Sequence, residues 1–235
     1  MSSPAISTAV NAINELPNAT NKTSHLEGIV ASLGSLTKSE LQNVVDLVNI
    51  RHIVDAIAHE AELSLKVLER LCEAVEPKFL LEKFDSMFMM ALASEEDKII
   101  RVCLHQLQRV TEEAPHSFFD HVNILEKLLE LLFSDNCGSL QTVESILRVI
   151  GMHRLEIFTC EKTLQLLEMM PAEKQLRFFD MIIKLCVSSE NCLEHFLNSG
   201  IFRRLHNIYL KAKDVSVFHH LVLLNTSTCE FRMIL

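Results

Sequence analysis

The sequence is poor in the residues that make tight turns. Only 5 glycines and 5 prolines occur among 235 residues, and there is no tryptophan. A β-sandwich or a doubly wound sheet needs more of both, together with Val, Ile and Thr runs of period two. Such runs are also missing from the chain. The sequence therefore predicts an all-α fold.

Basic residues are scarce as well. Lys and Arg total 22 against 31 acidic residues, and the net charge is −9. Binding to a phosphate backbone requires concentrated positive charge. The densest basic cluster is Arg203, Arg204, Lys211 and Lys213 beside His206. We interpret this cluster as a solvated helix flank and expect no nucleic-acid partner.

Long apolar runs and a secretory leader pattern are missing too. The longest stretch without a formal charge, Val215 to Cys229, ends in polar residues and is shorter than the ~18 to 20 apolar residues that cross a bilayer. The first residues lack the basic and apolar regions of a signal peptide. The seven cysteines have no paired spacing and fit reduced core thiols. We expect a soluble protein without a membrane partner, in the cytoplasm, with the nucleus as a second location.

What the sequence does contain is an amphipathic helical segment that recurs about every forty residues. The segment begins at Glu95, Gly138, Glu173 and Asp214, which are 43, 35 and 41 residues apart. Armadillo and HEAT solenoids have this period, and their repeats must stack because none can bury its apolar stripe alone. We predict an armadillo/HEAT-like helical repeat solenoid (α-α superhelix) over residues 24–235. An N-terminal helix and a polar joint precede it, over residues 1–23.

Local signals predict where the helices begin and end. Thr37 and Glu40 have the spacing of a capping box, Pro77 stops the helix before it, and Gly200 is placed for a left-handed position after a helix. The predicted helices cover residues 5–15, 24–34, 38–60, 62–75, 78–92, 95–112, 117–134, 138–152, 155–170, 173–188, 190–199, 201–212 and 214–224.

Reactive chemistry has little support in the sequence. Cys192 and His195 have a short ligand spacing, but a structural zinc site needs four N or S ligands, and no comparable second pair occurs. The nucleophile elbow, the HExxH signature and the glycine-rich phosphate loop are all missing. We expect no metal, no cofactor and no catalytic residue, and hence no enzyme.

The best candidate site is a polar stripe on the last helix of each repeat. In armadillo-like stacks this helix lines the concave groove, so the stripes of neighbouring repeats should align and bind a protein. Its members are spaced i, i+3, i+7 and so share a helix face. They are Lys98, Arg101 and His105, then Gln141, Glu144 and Arg148, and finally Arg177, Asp180 and Lys184. The alternative is that any amphipathic helix has a solvated face.

Several segments also resemble a known family. They include Leu68-Glu-Arg-Leu71, Ala74, Glu76-Pro77, Leu104, Gln106, Arg109, Val110 and Glu112, and later Ile182-Ile183, Ser199-Gly200 and Asp214-Val215. In order and spacing they are similar to the N-terminal part of the proteasome non-ATPase regulatory subunit 5 family. This resemblance implies a chaperone that assists assembly of the base of the 26S regulatory particle. It also implies a partner, the C-terminal domain of a proteasomal AAA+ ATPase subunit.

Two further expectations concern the alternative function and the end of the chain. An armadillo-type transport or cytoskeletal adaptor would bind a peptide in the same concave groove, although such adaptors present exposed Trp, which this chain lacks. The resemblance fades after Val217, and members of the family are longer. If Phe218, Leu221, Val222 and Leu224 had no neighbour, about 6 to 12 kcal/mol of burial would be lost. We therefore expect an uncapped, truncated C-terminal edge that favours self-association.

Overall fold

The computed structural model describes residues 4–134 and 138–204. Throughout these two ranges, all regular secondary structure is helical, with short 3₁₀ segments at Leu16–Asn18 and Pro115–Asp120. The α-helices are α1 (Pro4–Glu15), α2 (Lys22–Gly34), α3 (Lys38–Leu47), α4 (Ile50–Ala56), α5 (Ala61–Ala74), α6 (Pro77–Leu92), α7 (Asp97–Glu113), α8 (Val122–Leu132), α9 (Leu140–His153), α10 (Glu156–Thr159), α11 (Glu161–Met169), α12 (Ala172–Ser188) and α13 (Glu190–Asn198).

The three helix-end signals in the sequence act as predicted. Thr37 and Glu40 form a reciprocal capping box at the start of α3. Pro77 is the first residue of α6 and follows an extended Glu76. Gly200 has a φ of 72°, the left-handed conformation that glycine adopts without steric cost. Residues 201–204 begin the next helix, and the rest of the predicted helices 201–212 and 214–224 lies outside the described residues.

Three predicted helices are wrong in their continuity. The span 38–60 is divided at Val48 and Asn49, where the Asn49 side chain accepts the Arg51 N–H and starts α4. The span 155–170 is divided at Cys160, whose ψ of 150° is extended. The span 117–134 begins as the 3₁₀ segment before α8. In the first two cases apolar residues continue across the break, so helical periodicity does not reveal it.

The chain divides into two compact units, and the first covers residues 1–127. Within it, α5 is central and packs against α2, α3, α4 and α7, while α6 packs against α4 and α7 and α1 packs against α2 and α3. The contacts are made by fully buried side chains such as Leu26, Ile53, Leu68 and Leu104. Because each helix turns an apolar stripe to the helices one to three positions away in sequence, the core of this unit is built from successive helices.

The second unit covers residues 128–235 and is described over 128–134 and 138–204. Here α12 packs against α9 and α13, and α10 packs against α9 and α11. Phenylalanine rings join these helices. Phe178 lies 6.1 Å from both Phe133 and Phe158, and Phe158 lies 6.5 Å from Phe196, measured between ring centroids. All four rings are buried. A continuous series of aromatic contacts therefore runs through the core of this unit.

Several side-chain bonds join segments that lie 34 to 43 residues apart in the sequence. In the first unit, Arg70 donates to the Leu36 carbonyl 34 residues earlier and Lys83 to Asp46 37 residues earlier. In the second unit, Lys184 pairs with Glu144 and Arg204 with Glu161, over 40 and 43 residues. These separations match the predicted period. The all-α helical-repeat fold class is therefore confirmed within each unit.

Candidate functional site

The first three residues of the predicted stripe lie on α7 in the first unit. Lys98, Arg101 and His105 are exposed, while the opposite face of α7 buries Cys103, Leu107 and Val110. Arg101 forms an ion pair with Asp97 one turn earlier, with a distance of 2.6 Å between Nε and Oδ2. Because both side chains remain open to water, this pair contributes little to stability and leaves the face accessible.

The next three lie on α9 in the second unit. Gln141 is exposed, and Glu144 and Arg148 are half-buried. The apolar residues predicted to face inward, Val143, Ile146, Leu147 and Ile150, are all buried. The spacing in the sequence thus divides α9 correctly into a core face and a polar face.

The last three lie on α12, and two of them form a charge cluster with α9. Lys184 Nζ lies 2.7 Å from Glu144 Oε1 and 2.7 Å from Asp180 Oδ2. Hydrogen bonds to Asp180 and then to Glu144 raise the pKa of Lys184 above its usual value. Helical periodicity predicts the neighbourhood of Asp180 and Lys184, which are four residues apart, but the contact of Lys184 with Glu144 on α9 comes only from the structure. Lys184 stays charged and joins two helices.

Arg177, the remaining residue on α12, has a structural bond. Its Nη1 donates to the carbonyl oxygen of Ser134 at 3.1 Å, and its side chain is 30% exposed. Arg109 on α7 makes the equivalent bond to Cys72, and Arg70 on α5 to Leu36. In each case an arginine ties its helix to a main-chain carbonyl 34 to 43 residues earlier.

The sequence analysis missed this recurring arginine. Arg70, Arg109 and Arg177 are 39 and 68 residues apart, so no constant one-repeat spacing marks them in the sequence. Since the guanidinium of Arg177 is held against the main chain, the two more exposed cations of the stripe, Lys98 and Arg101, are better placed to meet a partner.

The thiols are mostly core residues, as predicted. Cys72, Cys103, Cys186 and Cys192 are buried. Burial raises the pKa of Cys72 and Cys103 well above the usual value, and raises the pKa of Cys186 to about 12. Protonated, buried thiols are poor nucleophiles. The prediction is wrong for Cys160, which is exposed because the chain breaks there before α11. Cys137 and Cys229 lie outside the described residues.

Cys192 and His195, which have a short ligand spacing in the sequence, are placed by the structure as follows. His195 Nε2 lies 3.3 Å from Thr159 Oγ1, while Cys192 is buried. Over residues 4–134 and 138–204, His, Cys, Asp and Glu form no group of three that could hold a metal ion. Of the helices that the structure describes, none combines the length and the apolar character that crossing a membrane requires.

Two other predicted surface features fall partly or wholly outside the described residues. In the basic cluster, Arg204 pairs with Glu161 and Glu168 on α11, so its charge is balanced within the second unit. Lys211, Lys213 and His206 are not among the described residues. The predicted C-terminal edge, with Phe218, Leu221, Val222 and Leu224, also lies outside them.

A protein-family model matches most of the chain. The model of a family described as proteasome non-ATPase 26S subunits matches residues 5–223. The match covers α1 to α13 and therefore includes all nine residues of the candidate stripe. No curated protein and no solved structure matches the chain.

Proposed function

Because this chain belongs to the family of proteasome non-ATPase 26S subunits, we propose that it is a non-enzymatic chaperone that assists assembly of the base of the 26S regulatory particle. Its proposed partner is the C-terminal domain of an AAA+ ATPase subunit. The observation that carries the proposal is the family match over residues 5–223. The resemblance to regulatory subunit 5 supports the chaperone role.

The helical-repeat architecture fits such a role physically. Stacked helices present an extended surface rather than a closed pocket, and the polar faces of α7, α9 and α12 carry charges of both signs. A ligand that binds one state of a subunit raises the population of that state by mass action and needs no chemistry. Charged, solvated contacts favour rapid and specific association over very tight binding, which suits a chaperone that must release its partner.

The proposal predicts capture of an ATPase C-terminal domain through the polar face of α7. The purified chain is tested against the C-terminal domain of each proteasomal AAA+ ATPase subunit by pull-down and titration calorimetry. We expect at least one domain to bind, and the double substitution Lys98→Glu with Arg101→Glu to weaken binding several-fold, because reversed surface charge removes electrostatic complementarity.

A matched control separates this face from general charge effects. Arg51→Glu with Lys66→Glu makes the same change in net charge at two exposed positions on α4 and α5. Lys66 also forms an i, i+4 ion pair, with Glu62, as Arg101 does with Asp97. We expect this control to bind like the unmodified chain. Binding of none of the ATPase domains would contradict the proposed function, and equal weakening by both double variants would move the site away from α7.

A further inference from the structure

One side of α12 carries an apolar stripe that is partly open to solvent. Leu176, Ile183 and Val187, the α12 stripe, are spaced i, i+7 and i+11, so they share one face of the helix. Leu176 and Ile183 are half-buried, and Val187 is 56% exposed. Leu185, which packs beside Gly151 of α9, lies about 160° around the helix from Val187, because an α-helix has 3.6 residues per turn. The α12 stripe therefore faces away from α9.

The corresponding face of α9 is covered by α12. The polar candidate residues of these two helices are offset by 36 residues, so Ile183 and Val187 correspond to Leu147 and Gly151 on α9. Both α9 residues are buried, and a Cβ at Gly151 would lie 3.3 Å from Leu185 Cδ1 on α12. In a repeat protein, each repeat buries the apolar side of the one before it. The exposure of Val187 thus marks a face that the next repeat in the sequence should cover.

Residues 214–224 have the sequence pattern of that next helix. The recurring segment begins at Glu173 for α12 and again at Asp214. After Asp214, the apolar residues Phe218, Leu221 and Val222 are spaced i, i+3 and i+4, the spacing of an apolar helix face. The family match extends to residue 223 and so includes almost all of this segment. The segment lies outside the described residues, so its place is inferred from the α12 surface and from its own sequence.

The chain is long enough to bring this segment to α12. Arg204, the last described residue, bonds to Glu161 and Glu168 on α11, the helix that directly precedes α12. Residues 205–213 connect Arg204 to the segment and can span up to about 30 Å. This distance exceeds the length of α12, which is about 26 Å for its 17 residues. The connector therefore allows the segment to lie along the α12 stripe.

Charge also favours this contact. The most exposed charged residues on α12 and α13 are Glu173, Glu190 and Glu194. Residues 205–224 carry two lysines, Lys211 and Lys213, against a single acid, Asp214. A net positive segment is attracted to such an acidic surface. Two copies of a chain with a net charge of −9 instead repel each other, which disfavours a second copy as the occupant.

We propose that residues 214–224 pack on the α12 stripe of the same chain, through Phe218, Leu221 and Val222. The contact covers the open side of α12 with the same apolar residues that would otherwise form an uncapped edge. Self-association through that edge is then suppressed, and the chain stays monomeric. This contact lies within the second unit and does not depend on the proposed partner.

Cross-linking from the α12 stripe tests the position of the segment in the full chain. A photo-reactive amino acid is placed at position 187, and cross-linked peptides are identified by tandem mass spectrometry. An equimolar mixture of unlabelled and isotope-labelled chain separates links within one copy from links between copies. We expect links from position 187 to residues 214–224 within one copy.

Hydrogen–deuterium exchange tests whether the contact holds the segment in place. Val187→Glu puts a charge into the contact, and circular dichroism checks that the helices are retained, as expected for a substitution at an exposed position. Burial of a valine side chain favours the docked state more than about tenfold. We expect residues 214–224 to exchange about tenfold faster in Val187→Glu than in the unmodified chain. Leu47→Glu, the same change at a residue that is also 56% exposed, should leave this exchange unchanged.

The possible results separate the occupants of the α12 stripe. Links between copies alone would show that a second chain covers the stripe, and a lack of links to residues 214–224 would show that this segment lies elsewhere. Equal exchange in Val187→Glu and in the unmodified chain would show that the stripe does not hold the segment. Each of these three results overturns the proposal. Links within one copy, together with faster exchange in Val187→Glu and not in Leu47→Glu, support it.

Discussion

At the scale of single residues, Gly151 shows how closely the helices of the second unit approach one another. A Cβ atom added at Gly151 would clash with Phe158 Cε2 and lie 3.3 Å from Leu185 Cδ1. Phe158 is fully buried and touches Phe178 and Phe196, so its ring has little room to move. The absence of a side chain at Gly151 is what allows this ring to pack on α9.

Gly151→Ala should therefore destabilise the protein by about 1 to 3 kcal/mol, the usual cost of overpacking a well-filled core. Urea unfolding followed by circular dichroism measures the difference. Gly28→Ala is the matched control, because a Cβ at Gly28 meets nothing within 4 Å and alanine is favoured over glycine in a helix by about 0.5 to 1 kcal/mol. If Gly151→Ala proved as stable as the unmodified chain, the close approach of Phe158 would be wrong.

At the scale of helices, the capping box before α3 is an interaction that one substitution can isolate. The Glu40 N–H donates to Thr37 Oγ1, and Glu40 Oε2 accepts from the Thr37 N–H at 3.0 Å. Thr37→Ala removes the oxygen that accepts the Glu40 amide. We expect a loss of about 0.5 to 2 kcal/mol in the free energy of unfolding, measured by chemical denaturation.

Thr8→Ala is the control for the capping box. It removes an exposed threonine hydroxyl that donates to the Pro4 carbonyl inside α1, a bond that does not cap a helix. Exposed substitutions of this kind usually change stability by less than about 0.5 kcal/mol. An equal loss in both variants would mean that Thr37 contributes no more than any surface threonine.

The ends of helices were predictable where the signal stands at the edge of an apolar pattern, and not where the pattern continues. Thr37, Pro77 and Gly200 act through their own side chain or through its absence, so the sequence alone predicts their effect. Asn49 also caps its helix with its own side chain, but apolar residues continue on both sides of it and conceal the break. Cys160 makes no side-chain capping bond to α11, so no local signal marks that break.

At the scale of the whole molecule, the repeat period and the polar faces were predictable, but the pairing between repeats was not. Helical spacing separates Glu144 from the buried Ile146 and Leu147 within α9. It contains no information on residues forty positions away, so the contact of Lys184 with Glu144 and the bond from Arg177 to Ser134 emerge only from the structure. Within the candidate stripe, Glu144, Lys184 and Arg177 thus act as internal braces between helices, and the exposed Lys98 and Arg101 remain the proposed binding face.

The braces lead to a prediction about how stability is distributed along the chain. Arg109 donates to the Cys72 carbonyl in the first unit, and Arg177 to the Ser134 carbonyl in the second. In repeat proteins, stability is approximately a sum of terms within repeats and between nearest neighbours. Loss of a brace should therefore loosen the helices beside it and leave distant helices unchanged. A protein with a single cooperative core would instead lose protection everywhere.

Arg109→Gln in the first unit and Arg177→Gln in the second test this distribution, and each serves as the control for the other. The measurement is hydrogen–deuterium exchange with mass spectrometry. A hydrogen bond to a charged group contributes about 1.5 to 3 kcal/mol, and each 1.4 kcal/mol is about tenfold in an equilibrium constant. We expect exchange at least about tenfold faster in α12 and at the end of α8, which Ser134 follows, for Arg177→Gln. For Arg109→Gln we expect a smaller increase in α5 and α7, because its bond to Cys72 is longer, 3.5 Å against 3.1 Å. In each variant the helices of the other set should exchange as in the unmodified chain. Uniformly faster exchange in either variant would contradict a stability built from neighbouring repeats.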